Sequence, residues 1–131
     1  MASVFTKIIQ GEIPCHRIWE DDSFFAFLDI HPVQPGMALV VPKREIDSSF
    51  DMNDADFSAF LLSAKKLVEP IRRATGCLKV GLVIEGLDVP HAHIKLIPIS
   101  KPQDLCAVPA DVSSKELAEM AQNIRSEIEM E

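Results

Sequence analysis

Cysteine is scarce in this sequence, and the few cysteines lie far apart. Cys15, Cys77 and Cys106 form no C-x-x-C pair, so the common cysteine-based zinc and redox motifs are excluded. Residues 1–7 lack the cationic segment and the apolar stretch of a signal peptide, and no later apolar run is long enough to cross a membrane. We therefore expect reduced thiols and a cytoplasmic protein.

An excess of basic residues is also missing. The chain has 13 lysines and arginines against 20 aspartates and glutamates, which gives a net charge of -7. Such a charge provides no long-range attraction to a phosphate backbone or to an anionic membrane, so neither bulk nucleic acid nor a membrane is an expected partner. Any bound phosphate must be held locally, which favours a small ligand.

The length and the apolar content fit a single domain. A chain of 131 residues with 47% hydrophobic residues can bury one core but is too short for two ordinary domains. We expect one domain over residues 1–131, with a core of about 4–100 and a C-terminal helical extension of about 112–130.

Hydrophobic periodicity and turn residues predict three helices and five strands. The helices are expected at about 3–10, 53–75 and 112–130, and the strands at about 17–20, 24–30, 38–41, 79–85 and 91–99. Asn53 is an N-cap candidate for the long helix, Pro70 is expected to bend it or end it early, and Gly76 is a stop. The order of elements predicts an α+β fold with a mostly antiparallel sheet.

The segment 91–96, with sequence HAHIKL, carries the residues best suited to chemistry. Side chains alternate along a strand, so His91, His93 and Lys95 are expected on one face, with the apolar residues between them facing the core. Three interpretations are open at this point. The histidines are ordinary half-exposed strand residues, or ligands of a metal ion, or a nucleophile with its neighbour.

The nucleophile interpretation uses all three polar residues. A metal ion would lack a third ligand, because Lys95 places a cation where a ligand is needed. A neutral imidazole attacks phosphorus well, and a nearby ammonium disfavours its protonation. Lys95 is therefore expected to keep His93 neutral and to offset charge that builds on the phosphoryl oxygens during transfer.

The segment 89–98 resembles the signature of the histidine-triad (HIT) family, His-φ-His-φ-His-φ-φ with φ apolar, except that Lys95 stands at the third histidine position. Three further blocks are similar to the family in the expected order: residues 5–14 with 20–22, residues 25–32, and residues 38–43. The resemblance implies a HIT-like α+β fold with a five-stranded, mostly antiparallel sheet, one long central helix, a short N-terminal helix and a C-terminal helix. It also implies a homodimer whose sheets join edge to edge.

The resemblance further implies a purine-nucleotide site. We expect no cofactor and, from the residues of the histidine segment, no metal. The residues implied to hold the nucleotide are Phe5, Ile8, Phe27, Asp29 and Ile30. Asp29 is implied to reach the ribose hydroxyls, His93 to take up the nucleotidyl group before water removes it, and His91 to orient His93. The alternative is plain core for the apolar members and a turn role for Asp29.

The sequence departs from the family pattern at several positions besides Lys95. Met37 stands where many members have a further active-site histidine, and the connection 86–90 is shorter than their glycine-rich phosphate loop. Gly86 and Asp88 in this connection are still expected near the phosphate, although the Asp88 carboxylate would repel it. Cysteines are absent near residues 3–6, where some members build part of a zinc site, so we expect no zinc.

Two main hypotheses follow. The first is an enzyme that hydrolyses or transfers at the α-phosphate of a purine nucleotide derivative through a nucleotidyl-histidine intermediate on His93. The alternative is a purine-nucleotide-binding HIT-like module with little or no turnover. A third class, a scaffold whose acidic helix over 113–131 docks on a partner, has no specific feature in its favour.

Overall fold

The computed structural model describes residues 2–130; Met1 and Glu131, the two ends of the expected domain, lie outside the described residues. It contains the elements α1 (Val4–Ile9), β1 (Arg17–Glu20), β2 (Phe24–Leu28), β3 (Ala38–Pro42), α2 (Asp54–Thr75), β4 (Lys79–Val83), β5 (Ile94–Ile99) and α3 (Ser114–Glu129). Two short 3₁₀ turns lie at Ser49–Asp51 and Pro102–Cys106. The predicted order of three helices and five strands is confirmed.

The five strands form one antiparallel sheet in the order β1-β2-β3-β5-β4. Strand β5 lies between β3 and β4, so the segment that leads into it enters the middle of the sheet. Strands β1 and β4 are the two edges. Among residues 2–130, no helix combines the length and the apolar character that a membrane crossing requires.

Both faces of the sheet are covered, which is why every residue of β2 and β3 is buried. One face packs against α2 and α3 through alternate strand residues such as Ala26, Val40 and Ile94. The other face carries a second apolar cluster under α1: Phe5, Phe25, Phe27, Met37, Leu39, Val41 and Ile97. The histidines of segment 91–96 lie on this second face.

Helix α2 shows how caps and packing set the helix ends. The Asn53 side chain accepts the N–H of Asp56, and Gly76 ends the helix with a φ of 73°, as expected for both. The expectation of an early end at Pro70 is wrong, because α2 continues for five residues to Thr75. Pro70 and Ile71 are buried in the core, and this packing outweighs the helical hydrogen bond that proline cannot donate.

Three strands are shorter than the sequence predicted. Strand β2 ends at Leu28, because the Asp29 carboxylate accepts the N–H of His31 at 2.8 Å and turns the chain. Strand β4 ends at Val83. Strand β5 begins at Ile94 and not at His91, since the N–H of His91 bonds to Val89 outside the ladder.

Candidate active site

His91 and His93 lie in the segment that leads into β5. The prediction of regular strand here is wrong, but the predicted alternation of side chains is present. Ala92 and Ile94 face the core beneath the helices, whereas both histidine rings contact the ring of Phe5 on the opposite side. Neither histidine is half exposed, because 0% of His91 and 3% of His93 is accessible to solvent.

The hydrogen bonds of His93 define which of its ring nitrogens carries the proton. Nδ1 lies 2.8 Å from the backbone oxygen of His91, and a carbonyl oxygen can only accept. Nδ1 is therefore the protonated nitrogen, and Nε2 of the neutral ring keeps its lone pair. Within residues 2–130 this Nε2 takes part in no hydrogen bond. Every fully buried side-chain nitrogen or oxygen among these residues has a hydrogen-bond partner. Nε2 is therefore not fully buried and keeps an opening to solvent.

His91 uses both ring nitrogens. Nε2 donates to the carbonyl oxygen of Pro42 at 2.8 Å, and Nδ1 lies 2.7 Å from the hydroxyl of Ser3. Burial lowers the pKa of His91 below its ordinary value, against the opposing effects of the Pro42 hydrogen bond and the charge of Glu45. The ring is thus neutral near pH 7, and Nδ1 accepts the Ser3 proton.

Three residues that the sequence did not indicate, Ser3, Thr6 and Glu45, form a hydrogen-bonded group with His91. Glu45 Oε1 accepts the backbone N–H of Ser3 at 2.6 Å and the hydroxyl of Thr6 at 2.7 Å. These bonds, the Ser3 N–H first, lower the pKa of the Glu45 carboxyl to about 2. A serine three positions before a threonine at a helix start signals a cap, but no local pattern connects either residue to Glu45.

Of the predicted nucleotide residues on α1 and β2, Phe5 contacts His93, and Phe27 and Ile8 belong to the apolar cluster around Phe5. The Phe5 ring stands edge-on to His93 with 5.1 Å between centroids, and it contacts Phe27 at 5.6 Å. Ile8 packs against the same cluster. Because Phe5 and Phe27 are buried and also belong to the apolar core of this face, both interpretations of them, core and base-binding wall, describe the same contacts.

Asp29 and Ile30 follow the end of β2 and are not strand residues. Asp29 has the turn role through its bond to the N–H of His31, and its own N–H donates to Met37. Ile30 is 55% exposed. The ribose and base contacts implied for these two residues stay predictions. Met37 itself is buried in the apolar cluster, where a thioether cannot replace the hydrogen-bonding capacity of a histidine.

Lys95 does not face the site as a free cation. Its ammonium lies 2.8 Å from Glu85 and 3.8 Å from Asp88. The hydrogen bond from Lys95 is the main reason that the pKa of Glu85 is lowered. The role of Lys95 beside the phosphate therefore stays a prediction, and Glu85 is a site residue that the sequence did not indicate.

The ion pairs of Lys95 with Glu85 and Asp88 join the connection between β4 and β5 to strand β5. Gly86 has a φ of 67°, a left-handed conformation that favours glycine, and the N–H of Leu87 donates to Glu85. Asp88 has a side chain that is 81% exposed, at the outer end of the Lys95 contact. No group of three or more histidine, cysteine or acidic side chains that could hold a metal ion is found among residues 2–130. The prediction of no metal remains untested.

Comparison with known proteins shows a single family. A model of the HIT domain matches residues 10–102. An uncharacterized HIT-like protein of Methanocaldococcus jannaschii is 37% identical over 100 residues, which cover 72% of this chain and 77% of that protein. The adenosine 5′-monophosphoramidase of Schizosaccharomyces pombe is 33% identical over 99 residues, covering 75% and 74% of the two chains.

A solved structure supports the fold independently. The HIT-like protein of Bartonella henselae, described as involved in cell-cycle regulation, superposes with a TM-score of 0.85 at 26% identity and covers 95% of each chain. The HIT domain match spans the strands and the histidine segment that form the site described above. On this evidence the chain belongs to the HIT family.

Proposed function

We propose that this protein is an enzyme that cleaves a purine nucleotide derivative at the α-phosphate, with His93 as the nucleophile. The observation that carries the proposal is the bond from His93 Nδ1 to the His91 carbonyl oxygen, at 2.8 Å. Because that bond places the ring proton on Nδ1, the lone pair of Nε2 is available for attack. A histidine that was merely part of the core would have no need of one unpartnered, accessible nitrogen.

The reaction proceeds in two displacements. Nε2 of His93 attacks the α-phosphorus, the P–N bond to the ring forms, and the bond to the leaving group breaks as that group takes a proton from water. The imidazolium character that develops on the ring is stabilised by the carbonyl of His91 through Nδ1–H. Water then attacks phosphorus and gives a proton to the hydroxide that the first step left, the bond to Nε2 breaks, and the nucleoside monophosphate leaves with His93 neutral again.

The nucleotide is proposed to lie between α1 and the end of β2. Phe5 and Phe27 provide an aromatic wall next to His93, and Ile8 extends its apolar surface. The exposed side chain of Ile30 is proposed to contact the base from outside this cluster. Asp29 has one carboxylate oxygen engaged by the N–H of His31, so the other is available for the ribose hydroxyls. The phosphate lies toward the connection that holds Gly86 and Asp88.

The substrate class proposed first is a nucleoside phosphoramidate. The S. pombe relative is named an adenosine 5′-monophosphoramidase, and it aligns over three quarters of this chain. Cleavage of a phosphoramidate needs one α-phosphate within reach of a nucleophilic imidazole. The proposed site offers one such imidazole, that of His93.

One observation favours the second candidate, a nucleotide-binding module with little turnover. The Lys95 charge is already paired with Glu85 and Asp88, so the substrate phosphate meets two carboxylates beside one cation. Repulsion from those carboxylates raises the barrier to phosphoryl transfer, where charge compensation is the main catalytic contribution.

Turnover of adenosine phosphoramidate distinguishes the two candidates. We expect the wild type to release AMP, His93→Ala to lose this activity by at least about a thousandfold, and His16→Ala, a matched change outside the site, to keep it. Intact mass after a denaturing quench at alkaline pH, where the P–N bond to imidazole survives, is expected to show a nucleotidyl adduct on the wild type and on His16→Ala but not on His93→Ala. Nucleotide binding by calorimetry without turnover would establish the binding module instead.

We also propose that the protein is a homodimer that pairs through β4. Strand β1 is the other edge of the sheet, but α3 packs against it and Arg125 donates to the carbonyl of Arg17. Among residues 2–130 no strand pairs with the outer side of β4, and Leu82 on this strand is 41% accessible. Light scattering after size exclusion is expected to give twice the mass of 14.5 kDa, and a monomer at micromolar concentration would contradict the pairing.

A further inference from the structure

We propose that Ser3, Thr6 and Glu45 are positioning residues: they hold the His91 ring, and His91 in turn sets the orientation and the tautomer of His93. This inference rests on the proposed function, in which His93 attacks the α-phosphate. None of the three residues belongs to the set that the HIT signature implies for the site. They come from α1 and from the loop after β3, and they converge on His91 in the fold.

The carboxylate of Glu45 anchors the group. Its Oε1 accepts two bonds, from the backbone N–H of Ser3 and from the hydroxyl of Thr6. A threonine hydroxyl has one proton, and the short bond of 2.7 Å to Glu45 uses it. Thr6 Oγ1 lies 3.4 Å from His91 Nδ1 and has no proton left to donate to it. Ser3 is therefore the donor that His91 depends on.

The hydroxyl of Ser3 connects the start of α1 to His91. It accepts the N–H of Thr6 at 3.0 Å, which caps the helix, and it donates its proton to His91 Nδ1 at 2.7 Å. The helix that carries Phe5 and the ring that precedes the nucleophile are thus held by the same oxygen. Removal of this oxygen loosens both contacts at once.

His91 passes this restraint to His93 through its backbone. With Nε2 bonded to Pro42 and Nδ1 to Ser3, the ring cannot rotate or change tautomer without losing a bond. The carbonyl oxygen of His91 is the acceptor that keeps the proton on Nδ1 of His93. A misplaced carbonyl would let the proton move to Nε2 and so remove the lone pair that attacks phosphorus.

Ser3→Ala tests the proposal, with Ser113→Ala as the matched control. Ser113 caps α3 in the same way, by accepting the N–H of Glu116, but it lies outside the site. We expect Ser3→Ala to lower kcat on adenosine phosphoramidate about tenfold, with KM within about twofold of wild type. Ser3→Thr keeps the hydroxyl and is expected to restore kcat, whereas Ser113→Ala leaves it unchanged.

A second measurement separates positioning from stability. Nitrogen-15 shifts of the imidazole rings are expected to show Nδ1 protonated in His93 and Nε2 protonated in His91 of the wild type. In Ser3→Ala the bond to Pro42 still keeps the proton of His91 on Nε2, whereas His93 is expected to populate the other tautomer. Glu45→Gln, which removes the anchoring charge but keeps an oxygen, is expected to give a smaller change of the same kind.

The proposal would be overturned if Ser3→Ala kept the wild-type tautomers and kcat, or if its loss of kcat matched that of Ser113→Ala at equal loss of Tm. The ring-nitrogen measurement does not require turnover. If the wild type failed to cleave adenosine phosphoramidate, the proposed function would be contradicted, while the tautomers of His93 in wild type and Ser3→Ala would still decide whether the group positions this ring.

Discussion

Replacement of His91 by alanine is expected to lower the free energy of unfolding by about 3–5 kcal/mol. The ring is fully buried and makes bonds to Ser3 and Pro42. Each bond contributes roughly 1 kcal/mol, and the Pro42 carbonyl left without a donor costs about 1–3 kcal/mol. The lost contact with the Phe5 ring, at 5.8 Å between centroids, leaves a cavity whose cost brings the total into this range.

Urea unfolding, followed by the fluorescence of Trp19, measures this change, because Trp19 is the single tryptophan and packs partly buried against the core. His31→Ala is the matched control, since His31 is exposed, and we expect a change below about 0.5 kcal/mol. If His91→Ala stayed within about 1 kcal/mol of wild type, the hydrogen bonds around this ring would not contribute to the stability of the fold.

The pH dependence of the same variant gives an independent check. Burial lowers the pKa of His91 below its ordinary value of 6.5, so below this pH the unfolded chain binds a proton that the native state does not. The wild type therefore loses stability as the pH falls through this range, whereas His91→Ala lacks this loss. The stability difference between them is expected to shrink on acidification, and a difference that grew would contradict the assigned neutral state.

Three further outcomes are expected. The pKa of Glu45 is lowered to about 2 from 4.5, so its stabilising effect is present above pH 4.5 and is lost as the pH falls toward 2; acid unfolding of Glu45→Gln should show a shallower dependence in that window. Gly36→Ala should destabilise by about 2 kcal/mol or more, because φ is 88° and the new Cβ would lie 2.4 Å from Thr75 Cγ2; Thr75→Ser should recover part of this in thermal melts. Glu85→Gln frees Lys95 for the substrate phosphate and is expected to lower KM for adenosine phosphoramidate several-fold, with a stability change below about 1 kcal/mol; an unchanged or higher KM would count against a phosphate role for Lys95.

Regular elements with strong local signals were predictable from the sequence. The apolar spacing of α2, its Asn53 cap and its Gly76 end are local properties, and the structure has all three. The strand ends were less predictable, because they depend on single hydrogen bonds, which are local at Asp29 and long-range at Ala92. The N–H of Ala92, for example, bonds to Ile46 rather than to a neighbouring strand, and this keeps the histidines out of the regular ladder.

The candidate site also has features that were predictable from the sequence and features that were not. The spacing of His91 and His93 and the surrounding blocks resemble one family, and that resemblance carries the prediction of a nucleophile. The tautomer of His93 could not be read from spacing, since it depends on which carbonyl its Nδ1 reaches. The ion pair of Lys95 could not be predicted from spacing either, because its partner Glu85 comes close to it only through the pairing of β4 with β5.

By itself the sequence determined the order of elements and the histidine pair, because hydrophobic period, caps and short motifs act over a few residues. Only the tertiary structure decided that Ser3, Thr6 and Glu45 surround His91. Their hydrogen bonds join positions 39 to 88 residues apart, and bonds over such separations exist only once the sheet and α1 have packed.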